Sequence, residues 1–344
     1  MQRSKIIIIA LFIATISSLV LASGMGAVSI SAIEWGEILL YKLGWWEGEI
    51  NSQKLAVLWV IRLPRVLTSI FVGASLAICG TALQGLFRNP LAEPSIIGIS
   101  AGAAFSASLV IVFASSALSF ATSWLAGSIL SIATFCGAVL STVFIFALSR
   151  QKHQTNVTIM LLGGIAVNAL AAAGTGVLIF LADDAQLRSI TFWTLGSLGG
   201  ATWTTTGLIA GAAFTSVVFL LRLPKVFNAL ALGEQEARYI GMPVERLKTQ
   251  VIILTALSVG ISVAFCGVIG FVGLVVPHIL RLVGGANFRY LLPASALGGA
   301  LLLCWADALS RTLVAPAEVP IGIITALMGA PIFLLILYQQ KSKV

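Results

Sequence analysis

Charge is what this chain has least of: 9% of its 344 residues are Asp, Glu, Lys or Arg, against roughly a quarter in a soluble domain. With 59% hydrophobic residues and a mean hydropathy of +1.06, water is excluded as its solvent. Cysteine and histidine are scarce as well. Cys79, Cys136, Cys266 and Cys304 all lie inside apolar runs without C-x-x-C spacing, so neither a zinc site nor a disulfide framework is indicated, and each thiol reads as a small hydrophobe. No Gly-Lys dipeptide occurs anywhere, which removes the G-x-x-x-x-G-K-[ST] phosphate cradle. No cofactor is expected in this chain, and any ATP and Mg would be bound by a partner.

What is present is a succession of apolar runs, each close to the roughly 20 residues that cross a bilayer as a helix. The first, Ile6 to Val28, follows Arg3 and Lys5 and imitates a signal peptide, but it exceeds the usual apolar core of about 7–15 residues. It reads as the first transmembrane helix. Ten candidate spans follow from the breaks: 6–28, 64–84, 95–115, 124–148, 157–181, 203–221, 249–269, 271–284, 291–313 and 321–338. The expected fold is an all-α polytopic membrane protein, one transmembrane domain over 1–344 with about ten transmembrane helices. The short eighth span contains Pro277, His278 and Arg281, and needs neighbouring helices to satisfy those groups.

An even number of spans places both termini on one side. That side would carry Arg3, Lys5, Arg88, Arg150, Lys152, Arg222, Lys225, Arg238, Arg246, Lys248, Arg281, Arg289, Lys341 and Lys343, 14 of the 20 basic residues. By the positive-inside rule it is cytoplasmic. The net charge of +8 is therefore a topology signal rather than a mark of nucleic-acid binding. Trp35, Trp45, Trp46, Trp59, Trp124, Trp193 and Trp203 collect near the opposite boundary, where amphipathic rings anchor.

Small residues recur inside the spans, as in Gly98-x-x-x-Gly102, Gly207-x-x-x-Gly211 and Ala171 to Gly176, and predict close helix packing. Gly98 to Gly102 also matches the G-x-S-x-G nucleophile elbow, but that motif needs a strand-to-helix turn and a histidine in reach. Here it sits within a span, with only His153 and His278 in the chain, so a packing face is the preferred reading over an intramembrane protease. Arg62-Leu63-Pro64-Arg65-Val66 is echoed by Arg222-Leu223-Pro224-Lys225-Val226, and Ala92-Glu93-Pro94 by Ala317-Glu318-Val319-Pro320. Each pair falls on opposite faces, as an inverted repeat requires, although the two pairs do not share one register.

A proton-coupled carrier would bury ionisable residues in mid-span as relays. The best candidate is Asp307, but Arg311 lies four residues on, so a structural ion pair is favoured. The longest polar interruption, about 222–249, contains Leu232, Ala237, Ile240 and Met242 spaced as one helical side, with Glu234, Glu236 and Arg238 expected in solvent and Gly241 to Pro243 ending the helix. A short amphipathic helix of mixed charge suits docking to a protein partner better than lying on a membrane, which favours a basic polar face.

At these residues the chain resembles the FecCD-type permeases, the membrane subunits of type II ABC importers for siderophores, haem and cobalamin. The markers are Arg62-Leu63-Pro64-Arg65, Gly80 to Pro94, Ala231 to Gly241, Gly270 to Arg281, Ala306-Asp307-x-x-x-Arg311 and Pro320-Ile321-Gly322-Ile323. The resemblance implies a homodimer in the bacterial inner membrane, two cytoplasmic ATPase subunits and a periplasmic substrate-binding protein. It gives Leu232, Gly233, Glu234, Ala237, Arg238 and Gly241 to the coupling helix on which the ATPases act. It implies that Arg62, Arg65 and Arg311 meet acidic residues of the binding protein, snorkelling to lipid phosphates being the structural alternative, and that Asn89 and Leu91 contribute to a cytoplasmic gate. The stretch Asp183 to Trp203 is slightly more similar to haem-importing members than to siderophore importers, which makes haem the expected cargo, with a ferric siderophore or cobalamin as alternatives. A proton-coupled secondary transporter is the more distant one.

Overall fold

The computed structural model describes every residue except Met1, Ala27, 115–122, 152–153 and 342–344. The sequence-based placements of Lys152, His153 and Lys343 therefore lie outside the described residues. The described chain is a bundle of helices: α1 Gln2–Gly24, α2 Ala32–Lys42, α3 Ser52–Phe87, α4 Ile99–Leu109, α5 Ser123–Ser149, α6 Val157–Leu181, α7 Asp184–Leu195, α8 Trp203–Leu220, α9 Pro224–Leu230, α10 Glu234–Tyr239, α11 Val244–Cys266, α12 Val272–Gly284, α13 Phe288–Thr312 and α14 Ile321–Lys341. A two-residue hairpin, β1 Arg150–Gln151 with β2 Gln154–Thr155, joins α5 to α6.

Among the described residues seven helices, α1, α3, α5, α6, α8, α11 and α13, are long and apolar enough to cross a membrane. Helices α4, α12 and α14 are apolar but shorter. Each apolar run of the sequence falls on one of these helices, with shifted ends. Helix α3 starts at Ser52 rather than at 64, because Asn51 caps it through Oδ1, accepting from Gln53 N and Lys54 N. The π-helical turn Val57–Arg62 then accommodates Pro64, which has no N–H to give to the preceding turn. Helix α11 starts at Val244 rather than at 249, because the charge that bounded that run, Lys248, is buried.

Helix α3 is the centre of the bundle. Its apolar window is 83% buried, against 11% for α6, so α6 presents its sides outward and α3 is surrounded, with α13, α8, α12 and α11 packed around it. Polar pairs stitch the interior, as hydroxyls do where water is absent: Thr68 and Thr206 join α3 to α8 at 2.8 Å, and Ser75 and Ser258 join α3 to α11 at 2.9 Å. Trp59 and Trp203 pack in a tilted pair with centroids 5.3 Å apart, and the Trp203 indole donates to the Trp59 carbonyl at 2.9 Å.

Close backbone approach is concentrated on α3. A Cβ at Gly80 would overlap the Gly273 carbonyl, and Gly73 and Gly299 each block a side chain on the other. Gly98 and Gly102 pack against Ser141, Ile145 and Gly137, so G-x-S-x-G is a packing face here. Gly207 and Gly211 differ from expectation: among the described residues a Cβ at either meets nothing within 4 Å, so that face of α8 has no described helix packed closely against it. Gly80→Ala is expected to lower the melting temperature of the detergent-solubilised protein, overpacking costing about 1–3 kcal/mol, while Gly211→Ala leaves it unchanged or slightly raised.

Candidate functional site

Helix α1 ends without a basic residue in its last turn, so its final carbonyls need donors from elsewhere. Arg62 supplies two of them, its Nη1 donating to Ser23 O at 3.1 Å and Gly24 O at 3.0 Å. Arg311 supplies two more, to Met25 O at 3.2 Å and Ala22 O at 3.1 Å. The Arg311 Nε also donates to Asp307 Oδ2 at 3.0 Å, the i,i+4 pair read from the sequence. The other oxygen of Asp307 accepts from Arg65 Nε at 2.8 Å. Arg65 then closes a two-pronged pair on Glu318, Nη1 to Oε1 at 2.7 Å and Nη2 to Oε2 at 3.0 Å.

Asp307 is 0% exposed and held between two guanidiniums, an arrangement in which desolvation is offset by charge-assisted bonds. It serves as a structural counter-ion. Glu318 lies outside the membrane-spanning helices, and the Arg65 hydrogen bond holds its carboxyl below the usual range against the opposing effect of burial. The three arginines do come together at one end of the bundle, but they do not project as free cations. Carboxylates and carbonyls of the same chain have drawn them inward, and this network was visible in the sequence only as the Asp307–Arg311 spacing. A cavity of about 260 Å³ opens beside it, with Arg65, Ser197, Ser310 and Glu318 in its wall.

Helix α3 carries the chain to the opposite end: Arg65 and Arg88 are separated by roughly 35 Å at about 1.5 Å per residue. Arg88 stops the helix in a left-handed conformation, φ 50°. Asn89 and Leu91 follow in one turn, the Asn89 Oδ1 accepting from Leu91 N at 2.9 Å, and the Leu91 side chain is exposed.

The segment expected to couple is also at this end. Gly233, at φ 149°, and Gly241, at φ 78°, bracket α10, conformations that side chains rarely adopt. The helix is shorter than the sequence suggested, and its apolar residues do not share one side: Ala237 is buried while Leu232, Tyr239 and Ile240 are exposed. The reason is that a six-residue helix completes fewer than two turns. Nor is Glu234 free in solvent. It accepts from Arg238 and Lys248, each at 2.7 Å, and Glu245 accepts from the same two at 2.6 Å and 3.2 Å.

Lys248 is 1% exposed and also donates to Thr155 O at 2.7 Å, while Thr155 N donates to Glu245 Oε2 at 2.9 Å. The β1–β2 hairpin is thereby fastened to α10 and α11. Sequence reading missed Lys248 as a structural residue, although its i,i+3 spacing from Glu245 was a signal. Burial pushes the Glu234 carboxyl up, but the hydrogen bonds from Lys248 and Arg238 outweigh it and hold it below its ordinary value.

The chain is thus a bundle of apolar helices with an ionic cluster at one end and an exposed, firmly seated short helix at the other. Residues 9–339 match the model of the FecCD transport family, and the chain belongs to that family of ABC transporter permeases. The hemin transport system permease protein HmuU of Yersinia pestis is 44% identical over 300 residues, covering 87% of this chain and 88% of that one. The vitamin B12 import system permease protein BtuC of Vibrio cholerae is 36% identical over 341 residues, 99% of this chain and 95% of its own. A solved structure assigned to the metal-chelate type of ABC transporter, in an inward-facing conformation, superposes with a TM-score of 0.83 at 33% identity, covering 97% of this chain and 99% of the other.

Two outcomes follow. Asp307→Ala leaves two buried guanidiniums short of an acceptor and should destabilise by about 3–5 kcal/mol, clearly more than Glu318→Gln at the exposed end of the network; thermal unfolding in detergent compares them. The ionic anchoring of α10 is fully present above the ordinary carboxylate pKa of about 4.3 and is lost as pH falls through the depressed value of Glu234. Hydrogen exchange of 234–248 should therefore accelerate below about pH 4 in the wild type, and be fast already at neutral pH in Glu234→Gln.

Proposed function

We propose that this chain is the permease subunit of a binding-protein-dependent ABC importer for haem. Ten helices cross the bacterial inner membrane with both termini in the cytoplasm, and two copies of the chain enclose the pathway. Two cytoplasmic ATPase subunits, which hold ATP and Mg, act on Leu232, Gly233, Glu234, Ala237, Arg238 and Gly241. The observation that carries this reading is the α10 segment, which exposes Leu232, Tyr239 and Ile240 on a base held rigid by four ion pairs, as a lever must be. ATP binding changes the populations of outward- and inward-facing states only through differential affinity for them. Identity to a hemin permease, 44%, supports haem as cargo, and the vitamin B12 relatives, at 36% over nearly the whole chain, support cobalamin as the second reading. A ferric siderophore is the third.

The deciding experiment is uptake into proteoliposomes holding permease, ATPase and binding protein, with haem, ferric siderophores and cobalamin offered in turn. Haem uptake that needs ATP supports the proposal. Cobalamin uptake alone would transfer the cargo assignment, and uptake by permease without ATPase down a proton gradient would overturn the importer reading.

On the outer face, Arg62, Arg65 and Arg311 receive the binding protein, and Asn89 and Leu91 close the inner gate. Arg65 gives its Nε to Asp307 and one bond from each Nη to Glu318, so a docking carboxylate competes with Glu318, the partly exposed end. Glu318→Gln is expected to tighten binding-protein association about two- to fivefold, the equivalent of one exposed ion pair, as read by biolayer interferometry on the detergent-solubilised complex. Charge reversal of all three arginines should abolish stimulation of ATPase activity by the binding protein; unchanged stimulation would remove them from the interface.

A further inference from the structure

At the end of the bundle opposite the Asp307 network, two arginines have no carboxylate partner among the described residues. Arg281, in the last turn of α12, donates from Nη2 to Gln84 Oε1 at 3.2 Å. Gln84 is 2% exposed and is oriented in turn by the carbonyls of Gly273 and Leu274, at 3.4 Å and 3.3 Å. Arg88 follows directly on the end of α3. Gln84, Arg88, Asn89 and Arg281, with Ala231 and Phe288, line a cavity of about 320 Å³ whose described wall contains no acidic residue. Every ion pair among the described residues lies elsewhere.

A partly buried guanidinium without a counter-charge is costly, and a guanidinium fork is matched to phosphate geometry. Depth decides what brings the anion. Phe87 ends a helix long and apolar enough to cross a membrane and Gly284 ends a shorter apolar one, so both arginines lie at the ends of apolar helices, where a headgroup rather than an acyl chain is the natural neighbour of a cation. The residues after Arg281, Leu282 and Val283, are exposed and apolar, as a surface against acyl chains would be, and Phe288 and Ala231 give the cavity an apolar wall.

We propose that this cavity binds the phosphate of an anionic phospholipid, Arg281 from the interior side and Arg88 from the outer side. Basic pockets between helices at the membrane surface are suited to such headgroups. The inference does not depend on cargo or on which face is cytoplasmic.

The test uses the full-length permease, delipidated in neutral detergent and titrated with phosphatidylglycerol, phosphatidylcholine or inorganic phosphate, with native mass spectrometry and melting temperature as readouts. Phosphatidylglycerol should be retained at one molecule per protomer and raise the melting temperature, while phosphatidylcholine and inorganic phosphate at equal concentration do so weakly. Arg281→Gln should weaken retention about tenfold or more, as loss of a charged hydrogen bond does. Arg88→Gln, at an exposed position, should weaken retention without changing the melting temperature of the lipid-free protein, which separates lost binding from misfolding. Equal retention by the wild type and both variants would overturn the proposal, as would inorganic phosphate matching the lipid. Loss of ATPase association in Arg88→Gln with lipid retention unchanged would also overturn it, giving the cavity to an acidic protein segment.

Discussion

A single buried carboxylate organises one end of this molecule. Asp307 on α13 accepts from Arg65 on α3 and from Arg311 on its own helix, and those arginines extend the network to Glu318 and to the end of α1. In a bundle where apolar contact with lipid competes equally with apolar contact between helices, directional charge-assisted bonds are what set register. Asp307 fixes α13 to α3 directly and, through Arg311, to the end of α1, and glycine approaches join α3 to α13 and α12.

The opposite end is built on the reverse principle. There a buried cation, Lys248, is shared by two acids, and the short helix they hold buries Ala237 while Leu232, Tyr239 and Ile240 on and beside it stay in the open. Between the two ends runs α3, buried over most of its length, with an arginine pair near one end and the Asn89–Leu91 turn after the other. A continuous helix transmits displacement along its axis with little loss, so the Arg65 end and the turn at Leu91 are mechanically joined.

Membership of the lipid phase, the positions of the apolar helices and the Asp307–Arg311 pair were legible in the sequence because each depends on residues close together in the chain. Hydropathy sums over neighbours, and an i,i+4 spacing is geometry that any helix imposes. The partnership of Arg65 with Asp307 spans 242 residues, and nothing local announces it. Lys248 read as a charge bounding a span, because burial of a lysine depends on acids and a carbonyl delivered by other elements. Gly207 and Gly211 carried the same small-residue pattern as Gly98 and Gly102, yet only the second pair found a helix to pack against.

Residues close together in the chain were enough to show that this protein is apolar over bilayer-length runs, that it is helical, and that it resembles the FecCD permeases. Packing alone decided that Arg62, Arg65 and Arg311 are drawn inward, that α10 is anchored through its charges while Leu232, Tyr239 and Ile240 stay exposed, and that Arg88 and Arg281 share a cavity whose described wall has no acid. The physical reason is common to all three. Desolvation turns a charge into a demand for a partner, and which partner answers depends on how the helices pack.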